Sequence, residues 1–194
     1  MIEKTITYFE KPGKENTKDC AEIAVNRAKE LGLKYIVAAS SGGYTAKIFA
    51  EAVKGTGIQL VIVTHAVGFS KPGVWEFDKK LAEDLEKQGV KIIKGTHALS
   101  GLERAMTKRA GLGGSSRTEA VAEAFRRTIA VGFKVAVECT LIAADQGEVP
   151  VDDEIIAVGG TNEGADTVVV VKPSHTATFF DLQVREFAAM PRNR

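Results

Sequence analysis

Apolar positions recur along this chain with two different periods, and the periods alternate. Over residues 17–31, Cys20, Ala21, Ala24, Val25, Ala28 and Leu31 fall at helical spacing with Lys and Glu between them, which predicts an amphipathic helix. Thr17 is a candidate N-cap and Gly32 a candidate C-cap for it. Residues 34–39 then form a short apolar run with β-branched members, the pattern of a buried strand. The alternation continues with a helix over 44–53, a strand over 59–64, a helix over 75–88 and a strand over 90–94. It is interrupted at 95–118, which holds a helix-like piece at 101–110 and the Gly- and Ser-rich run 111–116. Two helices follow over 117–130 and 134–145, then strands over 154–158 and 166–171. Residues 184–187 are a further strand candidate, and 5–9 an edge strand candidate.

Strand–helix repetition of this kind implies right-handed βαβ units and a mostly parallel sheet covered on both faces. The connection between 154–158 and 166–171 is about seven residues, too short for a parallel crossover. Those two strands are therefore expected to be antiparallel neighbours. With no linker, repeat or low-complexity segment, residues 1–194 are expected to form one domain.

Composition adds mainly exclusions. A net charge of +1 and scattered basic residues do not make a nucleic-acid-binding surface. The densest basic cluster, Arg104, Lys108, Arg109, Arg117, Arg126 and Arg127, is interleaved with Glu103, Glu119 and Glu123, and reads as a solvated helical surface. No apolar run approaches the ~18 residues of a membrane span. The first residues lack a signal-peptide core, so a cytoplasmic location is expected. Cys20 and Cys139 lie far apart within helical patterns, with no metal-binding spacing, and Cys139 reads as core. His97 and His175 have no partners at metal-ligand spacing. Glu138 stands four residues after Lys134, which an exposed ion pair would explain.

Three segments carry candidate chemistry. The first, residues 39–46, runs directly from a buried strand into a helix. Gly42 and Gly43 let the backbone approach a ligand closely, and Ser40, Ser41 and Thr45 bring hydroxyl groups. The helix N-terminus behind them offers unpaired N–H groups and partial positive charge, which suits a phosphate. Neither the P-loop nor the dinucleotide fingerprint is present. The alternative is that Ser40 or Ser41 only caps the helix while the glycines ease the turn. The second segment is the Gly-rich loop after 154–158, with Gly160, Thr161 and Asn162. If strands 34–39 and 154–158 are neighbours, both loops open into one crevice at the C-terminal edge of the sheet, the usual ligand site of open α/β folds. A flexible turn is the competing account. The third segment is 64–73, with Thr64, His65, Gly68 and Phe69. An imidazole titrates near neutrality, so His65 is a candidate acid–base residue, or else a polar residue closing a strand end. Phe69 and Trp75 are available to cover a ring system, although Trp75 also reads as a packing residue. The insertion at 95–118 leaves the same sheet edge and reads either as a lid or as a contact in a homo-oligomer.

Residues 35–47, 58–64 and 154–162 together resemble the C-terminal domain of pyruvate kinase, in order and spacing over roughly 17–187. Within that group the chain is most similar to stand-alone prokaryotic members. The resemblance implies a three-layer α/β/α sandwich with a mixed five-stranded sheet, order 3-2-1-4-5, and strand 5 antiparallel. In pyruvate kinases the matching turn can hold a phosphate of a sugar bisphosphate effector, which here implies Ser40, Ser41, Gly42, Gly43, Tyr44 and Thr45. The stand-alone members look like flavin mononucleotide (FMN) binders, which implies the FMN phosphate on this turn. The 194 residues hold no counterpart of the family's catalytic barrel, so phosphoryl transfer to or from pyruvate is not expected. The insertion at 95–118 and the loop at 64–73 depart from the regulatory domain and leave room for a larger ligand. Three functions follow as expectations: binding of FMN or another phosphorylated molecule, with or without redox activity; a flavin-independent enzyme acting on a phosphorylated metabolite through His65; and a module sensing a sugar phosphate.

Overall fold

A computed structural model of the chain describes residues 1, 3–109 and 116–193. Its strands are β1 (Thr7–Phe9), β2 (Tyr35–Ala39), β3 (Gln59–His65), β4 (Lys91–Gly95), β5 (Ile155–Gly159), β6 (Thr167–Lys172) and β7 (Gln183–Pro191). Its α-helices are α1 (Thr17–Leu31), α2 (Tyr44–Val53), α3 (Lys79–Lys87), α4 (Gly101–Arg109), α5 (Arg117–Thr128) and α6 (Val131–Asp145). The strands form one sheet in the order β1-β7-β6-β5-β2-β3-β4. The expected 3-2-1-4-5 core is the run β4-β3-β2-β5-β6, and β6 is antiparallel to both its neighbours. The sheet has seven strands, not five: β7 pairs with β6, and β1 adds a parallel edge strand beyond it. β1 is short and largely exposed, so its hydrophobic pattern is too weak to assign its partner.

The layers follow from the amphipathic patterns. On one face of the sheet, Cys20, Ala24 and Ala28 of α1, Phe49 of α2 and Leu85 of α3 bury against Ile36, Ala38, Ile62 and Ile156. On the other face, α6 packs Val137, Leu141, Ala143 and Ala144 onto Val37, Val61, Ile155, Ala157 and Val169. Each fully buried aliphatic side chain contributes about 1.5–3 kcal/mol of apolar transfer. α6 is buried along nearly its whole length because α5 covers the side turned away from the sheet.

Helix ends show where local chemistry overrode the periodicity. Gly32 closes α1 in the left-handed region at φ 69°, and its N–H bonds back to Ala28 and Lys29. Thr17 is not the N-cap: that position is Asn16, and Thr17 donates to the Lys14 carbonyl at 2.6 Å and accepts from Ala165 N–H at 3.0 Å. The 75–88 expectation shortens to Lys79–Lys87 because Asp78 caps α3, accepting from Leu81 N–H at 2.8 Å. Asp78→Ala is expected to lower stability by about 1 kcal/mol, read from the urea unfolding midpoint, with Asp78→Asn close to wild type. Ala110 and the run Gly111–Ser115 lie outside the described residues.

Candidate functional site

Because β2, β3, β4 and β5 run parallel, their C-terminal ends share one edge of the sheet. A cavity of about 430 Å³ opens there, within the size range of small-molecule sites. The turn between β2 and α2 forms one wall through Ser40, Ser41, Gly42, Tyr44 and Thr45. Ser40 is buried, and its Oγ accepts from Ala46 N–H at 3.3 Å, so it caps α2 from within the turn. Among the described residues, the N–H groups of Ser41, Gly42 and Gly43 meet no acceptor, and neither does the Thr45 hydroxyl. Gly43 sits at φ 108°, with its back against Leu81 and Phe77, away from the cavity wall. Gly42 lies on the wall, and a side chain there would meet nothing within 4 Å.

The strand ends supply the opposite rim. Thr64, His65 and Phe69 line the cavity, as does His97 two residues beyond β4. The rings of His65, Phe69 and His97 gather with centroids 3.9–5.5 Å apart. His65 is held from both sides: Nδ1 lies 2.7 Å from Glu76 Oε2, and Nε2 lies 3.4 Å from Ser41 Oγ. An ionised carboxylate only accepts, so Nδ1 carries a proton toward Glu76, and in the tautomer with that single ring proton Nε2 is an acceptor. The bonds from Ser70 and then His65 hold the Glu76 carboxyl below the ordinary carboxylate range. The loop that brings Glu76 back is tied by Gly68 N–H to the Val74 carbonyl at 2.9 Å and by Trp75 Nε1 to Thr64 Oγ1 at 2.9 Å. Trp75 is thus a packing and anchoring residue, stacked on Phe77, and Gly68 serves the loop without reaching the cavity wall.

From β5, Gly160 and Asn162 reach the cavity, joined by Glu163 and Gly164. Thr161 does not: its N–H is bound to Asp166 Oδ2 at 3.0 Å, which shapes the loop. Asp166 also accepts from Gly13 N–H and Thr167 Oγ1, and its burial pushes its carboxyl upward against those bonds.

The floor differs most from the sequence expectation. Lys134 and Glu138 do not form an exposed pair: their side chains are only 2% and 4% exposed, and both line the cavity. Glu138 accepts from Lys134 Nζ, from His97 Nδ1 at 3.0 Å and from Leu99 N–H at 2.9 Å. Burial alone would raise its carboxyl, but the His97 bond and the Lys134 charge outweigh that and hold it at about 2. Burial also drives the Lys134 ammonium downward, with Glu138 opposing and Arg126 assisting. His97 Nε2 is buried without a partner among the described residues. Arg104 and Arg126 are not merely solvated helix surface either. Both reach the cavity while paired with Glu119 and Glu123. α6 places Lys134 and Glu138 one turn apart on the same side, and their signal was there to read: two opposite charges within the apolar body of a helix whose other charged residue, Asp145, stands at its end. Arg104 and His97 come from the 95–118 insertion, whose described part therefore contributes to the site wall. Cys139 is buried as expected, at the edge of the same cavity. Among the described residues no cluster of His, Cys, Asp and Glu could hold a metal ion, and no helix is long and apolar enough to cross a membrane.

Two solved structures align with the chain at 16% identity. One is a pyruvate kinase from Cryptosporidium parvum, covering 81% of this chain at a TM-score of 0.43. The other is the Cryptosporidium parvum pyruvate kinase in complex with ADP, covering 89% at a TM-score of 0.39. In both, the chain spans only 23% of the longer protein. The family model for the pyruvate kinase alpha/beta domain matches residues 18–171, from α1 to β6, so β1 and β7 lie outside the match. With that match covering most of its length, the chain belongs to the pyruvate kinase alpha/beta domain family.

Proposed function

We propose that this chain binds a phosphorylated small molecule in the cavity at the C-terminal edge of its sheet, and we take FMN as the ligand. One observation carries the reading: the unpaired N–H groups of the β2–α2 turn and the cations Arg104, Arg126 and Lys134 border the same 430 Å³ space. A phosphate at the turn gains the backbone donors, the Thr45 hydroxyl and the positive end of α2. The rings of His65, Phe69 and His97 offer a planar ligand an aromatic border. The flavin itself rests on that border and on the resemblance to stand-alone family members.

Titration of the purified chain with FMN and with riboflavin tests this. Wild type is expected to bind FMN at least about tenfold more tightly, since one charge-assisted hydrogen bond contributes about 1.5–3 kcal/mol. Thr45→Val keeps the shape and removes one hydroxyl, so it should lose part of that preference while the helix N–H groups retain the rest. Gly42→Val projects into the cavity without backbone strain and should weaken both ligands. Equal affinity of wild type for FMN and riboflavin would overturn the phosphate assignment.

A further inference from the structure

We propose that Ser41 is a nucleophile, with His65 as its general base and Glu76 as the residue that positions His65, and that the chain hydrolyses carboxylic esters whose acyl part carries an anionic group. This goes beyond ligand binding, although it uses the same cavity and puts a different anion on the same turn.

The geometry is a chain of three side chains from three separate segments: the β2–α2 turn, the end of β3, and the loop preceding α3. Ser41 Oγ lies 3.4 Å from His65 Nε2, and His65 Nδ1 lies 2.7 Å from Glu76 Oε2. This is the arrangement by which a weak hydroxyl nucleophile is activated, recognised by geometry and roles and independent of fold. The longer first distance matches catalytic sites without substrate, which tighten on binding. Ser40 is excluded from the role because its Oγ is occupied in capping α2. Ser41 follows a central strand at a tight turn into a helix, and the N–H of Gly42, on the cavity wall, meets no acceptor. That N–H, with the positive end of α2, is placed to receive an oxyanion.

As Ser41 Oγ bonds to the ester carbonyl carbon, its proton passes to His65 Nε2 and the carbonyl electron pair moves onto oxygen. Collapse expels the alkoxide, which takes the proton from Nε2. Water, the second substrate, then attacks the acyl-serine. Its proton passes to Nε2 and on to Ser41 Oγ as the acid leaves. Ester and water give acid and alcohol, with no other co-reactant. The substrate class follows from the walls. The lining holds three cations, Arg104, Arg126 and Lys134, and two carboxylates, Glu138 and Glu163, while Glu119 and Glu123, the partners of the two arginines, lie outside it, so an anionic acyl chain meets the guanidinium groups at the wall.

Diisopropyl fluorophosphate, which phosphorylates an activated serine and expels fluoride, tests the nucleophile on the full chain. Mass spectrometry is expected to show one adduct, on Ser41, absent in Ser41→Ala. The labelling rate should fall about a hundredfold or more in His65→Gln. No adduct on Ser41, or an undiminished rate in a folded His65→Gln, would overturn the assignment. Turnover of p-nitrophenyl acetate and of the half-ester p-nitrophenyl succinate tests the activity. The succinate should show the higher kcat/KM, with the preference reduced in Arg126→Gln. Glu76→Gln should lower kcat with KM and melting temperature unchanged, which a purely structural carboxylate would not do. Absence of turnover, or equal kcat/KM for the two esters, overturns the hydrolase or its substrate class respectively. A failed FMN titration leaves the labelling result intact, and failed labelling leaves the FMN result intact, so the two readings fall separately.

Discussion

Replacing Lys134 with Met is expected to destabilise the protein by about 3–5 kcal/mol, the cost of leaving one member of a buried ion pair without its partner. Both side chains are almost fully buried. Without Lys134, the Glu138 carboxylate keeps only His97 and the Leu99 N–H as partners. Replacing both members, Lys134→Met with Glu138→Leu, should not fully restore stability, because those two donors then lose their acceptor. The pH dependence has a definite sign. Glu138 is held at about 2, below its ordinary 4.5, so its contribution to stability is present above about 4.5 and is lost as pH falls from there toward about 2. Urea unfolding at a series of pH values checks this. Wild type should lose stability through that acid window, and Lys134→Met should lose less. Equal acid slopes in the two proteins would show that the pair does not set the Glu138 titration.

Replacing Gly159 with Ala is expected to cost about 3 kcal/mol, at the upper end of overpacking penalties, although only a methyl group is added. That methyl would overlap the Gly132 carbonyl oxygen and lie 2.7 Å from the Ala136 nitrogen, both backbone atoms of α6 that no rotamer change can move. The helix must shift off the end of β5. The same helix carries Lys134 and Glu138 into the cavity, so ligand affinity should fall together with stability. Gly147, in the turn after α6, is the control for an unrelated glycine: its position has open space but φ 73°, so Ala there costs only backbone strain. Thermal melts of the two variants give the comparison. A Gly159→Ala protein as stable as Gly147→Ala would mean that α6 can move away from β5 freely.

The strand–helix alternation, the antiparallel turn between β5 and β6 and the two Gly-rich loops at one sheet edge were all legible in the sequence. Each depends on local information: hydrophobic period, connection length and the residues that permit tight turns. The position of Ser41, Gly42 and Thr45 on the cavity follows from the same information, because parallel strands send their C-terminal loops to one edge. The parts that needed the tertiary structure are those where residues distant in sequence decide each other's environment. Lys134 and Glu138 look like an ordinary exposed pair until α5 packs on α6 and His97 and Leu99 close on Glu138, removing water from them. Arg104 and Arg126 have the spacing of a solvated helix surface, and only the packing of α5 on α6 and of α4 on α5 turns them to the cavity. Glu76 falls within what the periodicity takes for a helix, and it reaches His65 because Asp78 delays the start of α3 and Trp75 pins the preceding loop to Thr64. Period and turn chemistry determine which elements form. Which charged side chains lose their water, and what they then meet, is set by the contacts between elements, since desolvation depends on every neighbour in space rather than on neighbours along the chain.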